Sequence, residues 1–582
     1  MRKKQFLKAL FILVVIGYTL NVQAQDIDLE NIGDQMQQTL KKNPIKLSGG
    51  LSASSLFYNS NVNDSRDNFN YFLNGNLNIG IYNWSLPISY SLTNQGANLG
   101  YDVPFKFNRL SVSPKYKWMQ AHLGDVSMTF SPYTLNGLLI TGGGLELTPD
   151  VPFKIAMVAG RLNKAIEDND DPRTIPAYRR MGYGTQMKWE KEGYKVWITG
   201  FYAKDAVNSL DASPDIKGVL PQENLVLSVN ASVKVYKNIV VYGEYANSLL
   251  TNDLRANEKI SRGGLAGTFL KGNVSTETFD ALNGGINLNL KNMMIGIRYE
   301  KVDPNYRTLG AYYFTNDLEN ITLNTTFNLL QGKVTFAGNI GRQWDNLDDT
   351  KLKETSRWVG SANINVKISE KLMLVTSYSN FTMFTNRQLN QFTNINDNPL
   401  LVQQPMDSID YKQISQNVNM NLNYTISNSK ELIQNLNMNY SLNDMVNKEN
   451  GITRKGNISR FHNANVNYAI GFPNQKFSIA ASVNYTNSYS GSLTSNIWGP
   501  ALTLNKAFFK DKLTTTIGAS YNSSTGVAKI DVTSLRLGAN YTPWNKHNFN
   551  ASIIQMFRKT DQDIPNPNVD ELTASIGYSY SF

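Results

Sequence analysis

Cysteine is absent from all 582 residues. That excludes disulfides, thiolate metal sites and cysteine nucleophiles. Histidine is nearly absent, with three residues, so imidazole chemistry has few places to occur. No apolar run after Leu20 approaches the ~20 residues of a membrane-spanning helix. No linker rich in Pro, Gly or Ser divides the chain, although its length would suffice for three or four soluble domains. Clusters of Lys or Arg are missing as well, which argues against a nucleic-acid partner.

What is present begins with an export signal. Arg2, Lys3, Lys4 and Lys8 form a basic segment, and Ala9–Leu20 is an apolar run too short to span a bilayer. Val22-Gln23-Ala24 offers a signal-peptidase site, so residues 1–24 are expected to direct Sec export and to be removed after Ala24. Without a cysteine after the apolar run, a lipoprotein is excluded. Losing the four basic residues takes the formal charge from +10 to +6, mild for such a chain. Residues 25–43 follow, with Ile27, Leu29, Ile32, Met36 and Leu40 at helical spacing. They predict a short amphipathic helix at a periplasmic mouth, either packed on a rim or seated in a lumen.

From residue 44 to 582 the period is two. Leu572, Ala574, Ile576, Tyr578, Tyr580 and Phe582 share one face, and Thr573, Ser575, Gly577, Ser579 and Ser581 share the other. Leu513, Thr515, Ile517, Ala519 and Tyr521 repeat the pattern, as do Phe477–Tyr485 and Val418–Ile426. The polar face is Asn, Ser, Thr and Gly, where a soluble sheet would present more Lys and Glu. The segments run about 10–13 residues, longer than the ~5–6 of soluble strands and matched to a tilted membrane strand. With no spanning helix available, only a closed barrel satisfies every backbone group in lipid.

Tight turns at Asn83-Trp84, Lys237-Asn238, Lys291-Asn292, Gln331-Gly332, Glu370-Lys371, Pro473-Asn474, Lys510-Asp511-Lys512 and Asn545-Lys546 alternate with long polar connections. The long ones cover 164–177, 206–223, 250–279, 303–318, 345–356, 385–411, 445–459 and 558–569. Short periplasmic turns and long extracellular loops are the layout of bacterial barrels. The expectation is an all-β, transmembrane, antiparallel up-and-down barrel of about 26 strands, within a range of about 22–28. The count is softest between residues 85 and 150.

The last strand, with Tyr578, Tyr580 and a terminal Phe582, resembles the signal read by the barrel-assembly machinery of outer membranes. The resemblance implies insertion from the periplasm and pairing of the last strand with the first. The Asn- and Tyr-rich composition and long loops resemble outer-membrane barrels of the Bacteroidota, Gram-negative in envelope. The plug of TonB-dependent transporters, the extra domains of ushers and LPS-insertion barrels, and the peptidoglycan-binding tail of the OmpA type have no visible counterpart.

Candidate sites are few. His462 lies in phase with the apolar face, His547 sits at a periplasmic turn, and His122 is near Asp125 and Ser127 in sequence but poorly arranged for a triad. No enzyme activity and no cofactor are expected. Glu167, Asp168, Asp170 and Asp171 form an acidic loop, a candidate calcium surface or simply a solvated one. Gly137 and Gly142-Gly143-Gly144 interrupt a strand pattern. They mark either a kinked corner or a gate or partner-docking site where the wall folds inward. The functional expectation is a porin-like outer-membrane conduit for transport or secretion, gated by loops or plugged by a partner. The alternative is a non-conducting anchor whose extracellular loops bind a surface protein. The expected surroundings are outer-membrane lipid, the assembly machinery, and a protein partner at the loops or the periplasmic mouth.

Overall fold

A computed structural model describes residues 45–62, 67–94, 108–170, 174–257, 259–312, 315–350, 356–380, 382–384, 411–449, 452–491, 493–526, 529–561 and 568–582. The export signal and the helix expected at Ile27, Leu29, Ile32, Met36 and Leu40 lie outside these residues, as does most of 385–411.

Alternation without long helical patterning yields one antiparallel sheet in which each strand pairs with its neighbour in sequence. The sheet has 28 hydrogen-bonded segments, and two pairs of segments share a stave, giving 26 staves. The first strand, β1 (Ile45–Ser60), pairs with the last, β26 (Asn568–Ser581), from Gly50 opposite Ser581 to Ser60 opposite Glu571. This pairing removes both sheet edges. Because the number is even, both ends of the sheet emerge on one rim, where the Phe582 amide donates to the Gly49 carbonyl at 3.0 Å.

The short connections gather on that rim and the long ones on the other, as the spacing predicts. The tight turns need backbone in the left-handed region. Phe509, Lys510 and Asp511 adopt it in succession, at φ 52°, 56° and 71°. One long connection is corrected. Residues 445–459 do not form a loop, because β19 (Ile433–Glu449) and β20 (Ile452–Phe472) continue past the wall as a hairpin. Pairing runs, through a register shift at Val446, to Glu449 opposite Ile452. An Asn- and Lys-rich sequence reads as a loop, yet it carries enough backbone pairing to remain a strand.

The irregular stretch is β4, broken into Arg109–Val112 and Lys115–Tyr116 around Ser113-Pro114. Proline has no N–H to give to a ladder, so the strand breaks there.

The outer face is apolar. Ile576 is 62 % exposed, and Val483, Ile517, Leu537 and Ile553 are comparably open. Aromatic side chains edge this belt towards both rims. Trp84 stacks on Tyr116 at 4.7 Å, Phe327 on Phe336 at 4.8 Å, and Phe549 meets Tyr578 at 4.8 Å near the short turns. Phe57 and Phe69, at 5.1 Å, lie near the long loops. Tyr580 extends the first girdle to His547 and Phe582. Such a belt between two girdles is the surface a barrel presents to lipid.

Candidate functional site

The inner face divides into two unlike walls. One runs from β5 (Met119–Thr129) to β13 (Met293–Val302), and near the long-loop rim its inward positions include an apolar cluster set among buried polar side chains such as Gln186, Thr199, Asn224 and Ser248. Val126, Met128 and Phe130 leave β5 in phase. Leu138 and Ile140 face them from β6 (Asn136–Leu147), and Val158 from β7 (Phe153–Asn163). Phe201 and Ala203 of β9 (Tyr194–Asp205) and Leu250 of β11 (Ile239–Thr251) complete the cluster. The uniform Asn/Ser/Thr/Gly lining expected from the C-terminal strands fails on this side. These residues line a dry core instead of water.

A row of glycines lies beside the core. Gly124, Gly142, Gly160 and Gly182 are lateral partners across β5, β6, β7 and β8 (Arg180–Lys191), all on the inner face. A Cβ at Gly142 would stand 2.1 Å from the Ala159 carbonyl oxygen, and one at Gly160 2.5 Å from that of Thr141. Only glycine lets neighbouring backbones close so tightly. Gly144 is tight as well, with a Cβ position 3.0 Å from the Met128 sulfur. Gly143 sits on the outer phase, and its Cβ would lie 3.3 Å from the His122 carbonyl oxygen. Gly137 has room but needs its positive φ of 65°.

Beyond this row the β5–β6 connection, residues 130–135, lies inside the barrel. Leu135 is 0 % exposed. Gln186 of β8 donates to the Phe130 carbonyl at 2.9 Å, and Tyr133 reaches Glu300 of β13. Only from the concave side can one turn touch both strands.

A second segment meets it there. Residues 303–311 fold inward, with Tyr306 wholly buried. Tyr306 Oη donates to the Tyr133 carbonyl at 2.8 Å, and Thr308 Oγ1 to the Thr134 carbonyl at 2.7 Å. The Asn136 amide donates to the Gly310 carbonyl at 2.9 Å. Leu309 inserts into the core and its amide donates to Asn224 Oδ1 at 3.0 Å. Together the two segments form a strap across this half of the lumen. Burial, with Glu300 beside it, raises the Tyr133 hydroxyl well above its ordinary range, so it stays neutral, donating to Glu300 and accepting from Asn283. Burial likewise pushes the Asp303 carboxyl up at the base of the strap.

A buried ion pair pins the neighbouring loops. Arg180 Nε and Nη2 donate to the two Asp205 oxygens, each at 2.8 Å. The Gln222 amide adds a third bond to Asp205, at 2.9 Å, and the Gln222 side chain accepts from Arg307 of the strap at 3.3 Å. The acidic loop is also engaged. Glu167 accepts from the Asp211 amide and Asp168 pairs with Lys217, tying 164–170 to 206–222. Among the described residues no group of three or more potential ligands could hold a metal ion.

Among the described residues, the opposite wall, from β18 (Tyr411–Asn428) through β19 and β20 to β21 (Phe477–Ser490) and β22 (Leu493–Phe508), contributes to no buried apolar cluster. Asn421, Asn439, Asn465 and Asn484 are consecutive lateral partners. The row one step along is Asn423, Asn437, Asn467 and Ser482. Carboxamides bond one to another: Asn437 to Asn423, Asn443 to Asn417, and Asn463 to Thr486 at 2.7 Å.

The histidines do not assemble a triad. His122 points inward, while Asp125 is spent on the outer phase, accepting from Leu110 N and Thr141 Oγ1. Ser127 donates to the Gly137 carbonyl. His122 instead meets Ser113 Oγ at 2.9 Å and has Glu146 at 3.4 Å. The Ser113 amide is committed to the Pro87 carbonyl, so it cannot serve as an oxyanion donor. His462 bonds Tyr440 on the outer face, and His547 bonds Tyr578.

No protein-family model and no curated protein matches the sequence. Among solved structures, the chain is similar to the ferric enterobactin receptor of Pseudomonas aeruginosa, at 12 % identity and a TM-score of 0.39, over 92 % of this chain and 80 % of that one. The P pilus usher translocation pore aligns at 11 % identity and 0.37, over 92 % and 99 %. The iron transporter FrpB of Neisseria meningitidis aligns at 10 % and 0.34, over 94 % and 83 %. Superposition at this level bears no functional argument, which rests on the lumen itself.

The strap was not foreseen in the sequence, though a signal existed. The connection 303–317 carries Tyr306, Leu309, Tyr312, Tyr313 and Phe314, a dense aromatic run for a solvated loop. Val126, Met128 and Phe130 also break the polar phase of an inner face.

Proposed function

We propose that this chain is an outer-membrane transport conduit whose lumen is closed on one side by the strap and open to water along the other. Twenty-six strands at ~4.8 Å spacing and ~40° tilt would enclose a circle about 50 Å across. An unfilled hole of that width would abolish the permeability barrier, so the interior must be occupied. The carrying observation is the inward docking of 130–136 against 303–311, held by three hydrogen bonds to single loop backbones. A joint of that size can release without unfolding the wall.

The same reading assigns residues 1–24 to Sec export, the helix at 25–43 to the periplasmic mouth, and Tyr578, Tyr580 and Phe582 to recognition by the assembly machinery. Gly142 and Gly144 belong to the close-packed wall that carries the gate, with Gly137 and Gly143 beside them. No step calls for a cofactor or catalysis.

A cysteine-free chain makes the test simple. Asn136 and Ala311 are bridge partners, so Asn136→Cys with Ala311→Cys should oxidise to a disulfide. In planar bilayers the oxidised variant should hold its lowest conductance level, and reductant should restore openings. Openings that persist under complete oxidation sink the gate. Silence of the wild type with its strap disrupted sinks the conduit.

One observation favours the anchoring alternative. The short helix Gly264–Gly267 packs on the outside of the wall, where the Ala266 amide donates to Asn247 Oδ1, and the adjoining Phe269 is 78 % exposed. Mild-detergent purification from native membranes distinguishes the two. A stoichiometric partner lost in Phe269→Ser supports anchoring, and no partner counts against it.

A further inference from the structure

The wall opposite the strap has a chemistry of its own. Its inner positions on β18–β20 are mostly Asn, continued on β21 by Asn484 among Ser and Thr, in a two-dimensional array with rows about 4.8 Å apart between strands and about 7 Å along each strand. Each carboxamide offers two donors and an acceptor, and none carries charge. Asn417, Asn443 and Phe461 are lateral partners in a third row. Phe461 therefore falls on the inner phase, beside Asn463 and Asn465, and is 41 % exposed. Its lateral partners, Asn443 and Ser488, are both polar. Asn443 Oδ1 is buried without a hydrogen-bond partner.

Building on the conduit reading, we propose that this wall is a binding track for a neutral, hydroxyl-rich chain, an oligosaccharide or polysaccharide, with Phe461 as its stacking platform. A sugar hydroxyl is donor and acceptor at once, so a pair of hydroxyls matches a carboxamide in either orientation. The apolar face of a sugar ring covers an exposed aromatic ring. Ions gain nothing from uncharged amides that water does not already give them. A polypeptide would need apolar pockets for its side chains, and this wall offers one ring. Identical groups at regular spacing bind weakly at many equivalent registers, so a chain can slide without being trapped.

The probe is maltohexaose, used with the full-length protein in detergent micelles and in planar bilayers. Direct binding is read by saturation-transfer NMR and by calorimetry, and passage by interruptions of the ion current. Wild type should bind maltohexaose and ignore both an oligogalacturonate of equal length and a neutral Gly-Ser peptide. Phe461→Ala should raise the half-saturating concentration roughly fivefold. Replacing Asn421, Asn439, Asn465 and Asn484 together by Ala should raise it by roughly tenfold or more. A Phe461→Tyr variant should restore binding. Heat-modifiable mobility on gels confirms that each variant is a folded barrel. Binding without conductance sustains the track and sinks the conduit. Conductance with no maltohexaose binding, or equal binding of the charged sugar or the peptide, overturns the track and leaves the conduit standing.

Discussion

The strap joint gives a quantitative handle on opening. Tyr306→Phe removes the bond to the Tyr133 carbonyl and leaves the ring in place, and Thr308→Val removes the bond to Thr134 across the joint together with the one Thr308 accepts from the Gly310 amide within the strap. Each bond across the joint is neutral, with a net worth of about 1 kcal/mol. Both acceptors lie in a buried turn, and an acceptor left unpaired makes the loss larger rather than smaller. The double variant should therefore shift the closed-to-open ratio by about 2 kcal/mol, or roughly 30-fold. The wall is untouched, because neither residue belongs to a strand. Single-channel recording reads the effect as open probability at fixed voltage, and uptake of a bulky antibiotic reads it in cells. Leu309→Ala, which also empties part of the core, should open the barrel further, by about 2–5 kcal/mol. If the double variant folds, shows heat-modifiable mobility and opens no more often than wild type, the joint is not the gate.

Other expectations follow from the same geometry. Asp205→Asn strands the Arg180 guanidinium in a buried site and should cost about 3–5 kcal/mol, seen as earlier thermal unfolding and protease entry at 164–179 and 206–222; unchanged protection would mean the pair is solvated. Gly142→Ala should fail to assemble, because its Cβ would overlap the Ala159 carbonyl oxygen, while Gly143→Ala should insert normally; equal yields would remove the close packing from the account. Arg255 bridges Asp215 and Asp253, and its hydrogen bonds hold both carboxyls below their usual value. That link is complete above the ordinary aspartate range and is lost only as pH falls through the lowered values, so hydrogen exchange at 211–215 and 253–257, taken relative to the intrinsic rate at each pH, should be flat from pH 7 to about 4 and rise only below it. A rise already at pH 6 would assign the loops to another interaction.

The architecture was legible because a barrel in lipid has one polar and one apolar face per strand. Alternation at Leu572–Phe582 fixes face, direction and closure together, and the turns at Lys237-Asn238 or Pro473-Asn474 fix which rim is short. The lumen was less legible for the same reason. Period two says which residues face inward and nothing about what they meet there. Asn465 and Val126 are both inward residues, one against water and carboxamides, the other against Leu135 and Phe201. The difference lies in a turn and a loop more than 160 residues apart in sequence, Tyr133 and Tyr306, whose contact leaves no local pattern. The 445–459 hairpin was misread for the opposite reason. Its polar composition describes solvent exposure, which a strand projecting beyond the wall shares with a loop.

The two walls are complementary solutions to one geometric demand. A wide barrel gains lipid-facing burial and closed hydrogen bonding, but its interior grows with the square of its strand number while the wall that could fill it grows only linearly. Side chains alone fill a barrel of about eight strands. Here the strands from β5 to β13 meet the demand by drawing two connections inward, beside a row of glycines on β5–β8. Their apolar inner residues would be costly in an aqueous channel, so that half is committed to being filled. The strands from β18 onward carry carboxamides, which lose hydrogen bonds in a dry core unless every one finds a partner. That half is committed to being wet. A substitution scan should therefore show opposite tolerances. Val126→Asn or Ile140→Asn should destabilise the fold, and Asn465→Val or Asn439→Val should leave assembly intact while altering conductance. Measured insertion yields that treat the two walls alike would show that the strap rests on the wall without a core beneath it.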